Sequence, residues 1–280
     1  MLHLSRTPAA PLRAFVHDLW LYDGYTPRHA RERILPSGTL ELVINLRENE
    51  LRIYDADRPE TCRRFSGAVV SGAYGGPFVS DGAEEVSIMG AHFRPGGAFP
   101  FLGVPAGELA DAHVDLEALW GRSAAELRER LCGAAVPAER LRLLEAALAA
   151  HLFRPLEHHY AVPAALEAFA GSGARGTVRD VARRVGLSER RFVEVFTAET
   201  GMTPKLFSRV QRFQRARALA DDRSAPDWAR IAADCGYYDQ SHLIRDFLEF
   251  SGCSPADFVR RHGDVRGTGQ HVKRNHLPLP

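Results

Sequence analysis

Apolar and polar positions follow one pattern twice toward the end of this chain. In the first copy Val178, Val181, Ala182 and Val185 fall at i, i+3, i+4 and i+7, the spacing of one helix face. Gly186 then supplies a residue able to end a helix in the left-handed conformation, and a second helix buries Phe192, Val195 and Phe196. In the second copy the stripe is Trp228, Ile231, Ala232 and Cys235, the stop is Gly236, and the next helix buries Leu243, Phe247 and Phe250. A shift of 50 residues superposes Val181 on Ile231 and Gly186 on Gly236. One extra residue then makes the shift 51, which superposes Phe192 on Leu243, Phe196 on Phe247, Gly201 on Gly252, Pro204 on Pro255 and Phe207 on Phe258. Thr177 (with Asp180 three residues on), Ser188, Asp227 and Asp239 stand where the four helices need a side-chain oxygen to cap their first amides. Thr203-Pro204 and Ser254-Pro255 each start a further helix, the first of which, over about 204–219, joins the copies. Each copy is therefore a helix-turn-helix.

The first 170 residues carry a different pattern. "TLELVINL" (39–46) and "EVSIMGAHFR" (85–94) alternate in polarity and predict strands, between turn signals "PSG", "GAYGGP" and "RPGG". After Pro105 the period becomes helical in "ELADAHVDLEALWG", "SAAELRERLCG" and "PAERLRLLEAALAAHLF". Strands followed by helices indicate an α+β domain, a small β-barrel or sheet with helices after it, ahead of an all-α domain. The glycine-serine stretch "GSGARG" (171–176) divides the two, giving domains over 1–170 and 171–262, and the polar, proline-ended 263–280 reads as a disordered tail.

Composition changes this picture in one respect. The net charge of +1 conceals 17 basic against 22 acidic side chains in 1–170, a charge of −5, and 19 against 13 in 171–280, a charge of +6. The helical half therefore suits an anionic partner. Only Lys205 and Lys273 among the 36 basic residues are lysine, and both halves share that bias, so it is no sign of guanine-reading chemistry. Cys62, Cys132, Cys235 and Cys253 lack CxxC spacing and read as reduced, buried small hydrophobes, and no metal or cofactor is expected. No export signal or apolar run long enough for a membrane span is visible, which points to the cytoplasm.

The segments "VRDVARRVGLSERRFVEVFTAETGMTPKLFSRVQRFQRARALA" and "IAADCGYYDQSHLIRDFLEFSGCSPADFVRR" resemble the DNA-binding domain of the AraC/XylS family of transcriptional regulators over about 177–261. The resemblance implies seven helices, two recognition helices and a double-stranded DNA site of two successive major-groove segments. Tyr237 and Leu243 stand where that family more often has phenylalanine. "ILPSGTLELVINL" and "HFRPGGAFPFLGVPAGELAD" resemble the sensor domain of a subset of the same family, a β-barrel followed by helices. Further partners implied are a small-molecule effector, a second copy of the chain and, for an activator, the transcription machinery.

Helical geometry nominates the side chains that meet DNA. Opposite the buried face of the first recognition helix lie Arg190, Glu194 and Thr197, and in the second Ser241, Arg245 and Leu248, flanked by His242 and Glu249. Arginine can fork onto guanine, glutamate can accept from cytosine, and serine is tolerant. Arg183, Arg184, Arg191, Arg209 and Arg212 suit phosphates. Asp239, Ser241 and His242 are too close along one helix to form a catalytic triad, so no catalytic residue is assigned. In the first domain Glu41, Asn45, His92 and Arg94 sit on mixed strand faces; turned inward they could recognise a small polar effector, and turned outward they are ordinary solvated side chains. "HHY" (158–160) reads as linker surface. Two other classes remain open: an enzyme whose first domain does chemistry addressed by the second, which needs a reactive cysteine or a metal cluster although Cys62 lacks companions, and a module whose basic half binds an acidic partner without reading bases.

Overall fold

The computed structural model describes residues 1–24, 29–170, 177–221, 226–266 and 275–279. Strands β1 (Leu2–Arg6), β2 (Val16–Asp23), β9 (Ser87–Phe93), β4 (Glu41–Asn45), β7 (Ala68–Ser71) and β10 (His113–Asp115) form one antiparallel sheet in that order. A second sheet has the order β11 (His276–Pro278), β3 (Arg31–Ile34), β8 (Phe78–Asp81), β5 (Glu50–Tyr54) and β6 (Cys62–Ser66). The two predicted strands are β4 and β9, at the centre of the first sheet. Their alternation separates Leu42, Ile44, Met89 and Ala91, which pack with the helices, from Val43 and Ile88, which meet Trp20, Tyr22, Val69, Leu51 and Phe65 between the sheets.

Helices α1 (Leu116–Trp120), α2 (Arg122–Gly133) and α3 (Pro137–Ala150) follow, burying Leu116, Leu127, Leu131, Leu141, Leu144 and Leu148. One expected helix is split: "ELADAHVDLEALWG" holds a short 3-10 turn at Ala106–Leu109 and β10 before α1 begins. The β-branched Val114 stands mid-strand, paired with Val70, and that pairing outweighs the local helical period.

Then come α4 (Ala161–Ala170), α5 (Val178–Arg184), α6 (Glu189–Thr200), α7 (Pro204–Asp221), α8 (Trp228–Asp234), α9 (Gln240–Ser251) and α10 (Pro255–Arg266). These are the seven helices of the second domain. A boundary at 170 assigns α4 to the first domain, but α4 packs on α5, α6 and α7, with Phe169 edge-on to Phe196. The "GSGARG" segment itself lies outside the described residues. All four anticipated caps form: Thr177 and Asp180 make a reciprocal capping box, Ser188 accepts from the Arg191 amide, Asp227 from Arg230 and Asp239 from His242. The repeat also extends to polar groups, since Thr200 Oγ1 donates to the Phe196 carbonyl at 2.8 Å and Ser251 Oγ to the Phe247 carbonyl at 2.6 Å.

The disordered tail needs correction where it is described. Helix α10 runs on to Arg266, and His276–Pro278 pairs with β3 of the first domain, with Leu277 fully buried. Cys235 and Cys253 are buried as expected, whereas Cys62 and Cys132 are exposed, on an edge strand and on the outer side of α2. Among the described residues no helix is long and apolar enough to cross a membrane.

Gly201 and Gly252 close α6 and α9 with φ of +79° and +69°. Each also touches the first domain. A Cβ on Gly201 would lie 3.0 Å from Ala73 Cβ and 3.3 Å from the Ala106 carbonyl, and one on Gly252 would overlap the Arg33 guanidinium at 1.6 Å. Gly236, φ +76°, has open space around it. Gly236→Ala is therefore expected to cost about 1–2 kcal/mol, the penalty of a side chain in the left-handed region. Gly252→Ala must displace Arg33 as well and is expected to lose about 1 kcal/mol more. Urea midpoints of the two variants check the difference, and equal losses would mean that Arg33 yields freely.

Candidate nucleic-acid interface and the space between the sheets

The outward faces of α6 and α9 are set by what their opposite faces bury. Phe192, Val195 and Phe196 in α6, and Leu243, Phe247 and Phe250 in α9, enter one aromatic core with Phe207, Phe213 and Phe258. The side chain of Arg190 is consequently 91 % exposed, with Glu194 beside it at 3.0 Å and Arg191 on the flank at 3.5 Å from the same carboxylate. The hydrogen bond from Arg190 holds the Glu194 carboxyl below its ordinary pKa. On α9 Ser241 and Arg245 are exposed, and His242 is half-buried, edge-on to Tyr237 at 5.2 Å. Arg183 is exposed and bridged to Asp180, and Arg184 donates to the Ala164 carbonyl, tying α5 to α4.

Three expected DNA contacts lie elsewhere. Thr197 continues the outward face of α6 on a helical wheel, yet its hydroxyl is buried, because the end of α6 packs on the turn at Ala106–Leu109 and a Cβ on Gly107 would meet Thr197 Cγ2 at 3.0 Å. Arg209 is held by two carboxylates of α9: it donates to Asp246 at 2.8 Å and to Glu249 at 2.9 Å. Asp246 is 2 % exposed, so this pair neutralises a buried charge and leaves little of Arg209 for a phosphate. Arg212 is half-buried, its guanidinium 5.2 Å from the centre of the Tyr237 ring. Leu248 projects from this surface as its helical phase implies, and so does Tyr238, 92 % exposed in the turn before α9, whose sequence signal is an aromatic residue just before a cap.

In the first domain, strand register places Asp18, His92, Glu41, Ser71 and His113 side by side across β2, β9, β4, β7 and β10. Directly paired residues share a face, and this face looks toward the second sheet, whose Phe65 and Phe78 flank His113 at 5.6 and 4.7 Å. Glu41 and His92 therefore sit on the face turned toward the second sheet, where the His92 side chain is still 47 % exposed and that of Glu41 30 %. His92 is clamped between Asp18 at 2.9 Å and Glu41 at 3.0 Å. Burial opposes its charge, but the Glu41 and Asp18 carboxylates prevail and push its pKa to about 10. His113 has the opposite balance: burial holds its pKa down near 4, with Nδ1 2.6 Å from the Tyr74 hydroxyl. Trp20 lies across Gly90 on the same face, and its indole Nε1 is buried without a partner among the described residues, as is Ser80 Oγ of β8.

Asn45 and Arg94 do not join this row. Asn45 is fully buried and organises the β4–β5 turn, accepting from the Arg47 and Glu48 amides and donating to the Glu50 carbonyl. Arg94 is exposed just past β9 and donates to the Arg13 carbonyl. The "HHY" segment is more than linker surface. His158 stacks on Phe15 at 4.7 Å and meets Glu199 of α6 at 2.9 Å, while the His159 amide donates to the other Glu199 oxygen. Among the described residues no group of three or more metal-ligating side chains is placed to hold an ion.

A histidine buried in its neutral form contributes stability that is present above its unfolded pKa of 6.5 and lost as pH falls toward 4. The thermal midpoint is expected to drop between about pH 7 and pH 4.5 more steeply in the native chain than in His113→Gln. Parallel midpoint curves for the two proteins would remove His113 from the acid response.

Residues 5–115 match a domain of unknown function, DUF6597, and residues 181–261 match a helix-turn-helix domain. No curated protein matches the chain. Among solved structures it is similar to a probable AraC family transcriptional regulator from Rhodopseudomonas palustris, at 25 % identity over 37 % of this chain and 98 % of that one, with a TM-score of 0.33. It is also similar to the C-terminal domain of AraT, a response regulator from Geobacillus stearothermophilus, at 20 % identity over 41 % and 89 % of the two chains, TM-score 0.34. ToxT from Vibrio cholerae aligns over 92 % of this chain and 98 % of its own at 8 % identity, TM-score 0.46.

Proposed function

We propose, for this AraC/XylS-type DNA-binding regulator, that α6 and α9 enter successive major-groove segments of one operator and that a small polar molecule bound between the sheets of the first domain controls them. The observation that carries the DNA reading is the duplication itself. Two equivalent helices bury equivalent aromatic faces and leave Arg190, Glu194, Ser241 and Arg245 in solvent. Arg190 and Arg245 can each fork onto the O6/N7 edge of guanine, Glu194 can accept from cytosine N4, and Ser241 can serve several bases. His242 and Tyr238 stand at the leading end of α9, where a groove-bound helix meets base edges or the backbone. Arg183, Arg184 and Arg191, together with the capped helix starts, supply phosphate contacts that set register. The charge of +6 over 171–280 favours the encounter.

Selection from a random double-stranded DNA library is expected to recover two blocks about one helical turn apart. Arg245→Ala should weaken specific binding by about 1–3 kcal/mol and relax one base position, with nonspecific binding little changed. An operator preference identical to that of the native chain would take Arg245 out of base reading. Binding that follows ionic strength but not sequence would favour the acidic-partner module instead.

The effector reading rests on the inter-sheet face. Carboxylates flank a protonated histidine there, the Phe65 and Phe78 rings pack against His113, and the Trp20 indole N–H has no acceptor among the described residues. A buried donor left without a partner costs about 1–3 kcal/mol, and a ligand oxygen would recover that. A cognate effector is expected to change Trp20 fluorescence in the native chain and to bind roughly tenfold more weakly to Trp20→Phe, which keeps the ring but loses the donor. Unchanged affinity in that variant would place the effector elsewhere.

A further inference from the structure

The helix-turn-helix domain is tied to the first domain at both of its ends. At its start, His158 and His159 engage Glu199 ahead of α4. At its end the chain returns after α10 and adds β11 to the free edge of β3, pairing His276 with Ile34, Leu277 with Arg33 and Pro278 with Glu32. Two flanking backbone bonds extend the ladder, from the Leu35 amide to the Asn275 carbonyl and from the Leu279 amide to the Arg31 carbonyl. Leu277 is fully buried, and His276 Nδ1 meets the buried Glu32 carboxylate at 2.6 Å.

Strand β3 has two faces with different duties. Glu32 is paired in register with Ser80, on the side that looks between the sheets, whereas Arg33 projects to the other side. There Arg33 donates to the Ser251 carbonyl at 2.9 Å and to the Ala56 carbonyl at 3.3 Å, and it fills the place a side chain on Gly252 would need. The C-terminal end of α9 is thus held by a residue whose own strand is held by the last residues of the chain. The end of α6 has no such dependence, since Gly201 rests on Ala73, Ala106 and Leu40.

We infer that β11 is a latch: by completing the edge at β3 it fixes Arg33, and through Arg33 it fixes the second recognition helix against the first domain. Release of the strand frees the second helix-turn-helix unit while the first stays docked. A strand of three residues with one buried leucine belongs to the part of a structure that opens most readily, so it can be shifted by modest forces. Proline at its outer position also stops a further strand from adding to this edge, which keeps the device within one molecule. Because Glu32 shares the inter-sheet side with Ser80, a ligand there that engages Glu32 competes with His276 and loosens the latch. The consequence for operator spacing rests on the function proposed above; the mechanical coupling does not.

Hydrogen exchange on the full-length chain tests the coupling without DNA. In Leu277→Asp, exchange is expected to accelerate roughly tenfold or more both in β3 and at residues 251–254, with residues 199–202 unchanged. Acceleration in β3 alone would overturn the inference and leave β11 as a mere edge cover. Arg33→Ala keeps the strand and cuts the link, so 251–254 should loosen while β3 stays protected. If Leu277→Asp fails to fold, this second variant decides, and full protection of 251–254 in it refutes the latch. In the library selection, Leu277→Asp is expected to tolerate variable spacing between the two blocks. No enriched motif from either protein would instead count against the base-reading function and leave the exchange result standing.

Discussion

Both α6 and α9 end on a glycine in the left-handed conformation, and on both the space where a side chain would stand is taken up by the first domain. This constraint, at Gly201 and Gly252, orders the rest of the molecule. The C-terminal ends of α6 and α9 rest on the first domain, while Arg190 and Ser241 lie exposed in their first turns and Arg245 at mid-helix. The first domain therefore serves as a common seat for two helices that share one aromatic core, and their relative placement is a property of the whole chain.

The two seats are built differently. Gly201 meets small apolar groups in the body of the first domain, an arrangement with little room to move in a close-packed interior. Gly252 meets one long guanidinium on a short strand near the sheet edge. Between the sheets, the row from Asp18 to His113 concentrates charge where apolar contacts would otherwise be expected. A protonated His92 and a neutral His113 on the same face reflect which of them has carboxylates in contact and which has only rings and a phenol. The inter-sheet face and the end of α9 are thus linked through β3, whose Glu32 lies on one side and whose Arg33 lies on the other.

Several wrong expectations share a cause. Helical phase nominates Thr197 and positive charge nominates Arg209, and neither states what arrives from outside the side chain's own helix. Thr197 met the turn at Ala106–Leu109, some ninety residues earlier, and Arg209 met Asp246 on a neighbouring helix. Asn45 has the period of a pocket residue, but its amide satisfies a tight turn that forms only once β4 and β5 part to different sheets.

What the amino-acid sequence determined by itself was everything set by near neighbours. Caps at Thr177, Ser188, Asp227 and Asp239, stops at the left-handed glycines, and the doubled apolar stripe depend on bonds within a few residues. They made the helix-turn-helix pair and its exposed side chains legible. Only the tertiary structure decided which face of β4 and β9 looks inward, which arginines are spent on buried carboxylates, and that residues 276–278 close the edge of a sheet begun at the other end of the chain. Alternation defines two faces of a strand without saying which one is covered, and a three-residue strand has too little local preference to declare itself before its partner is in place.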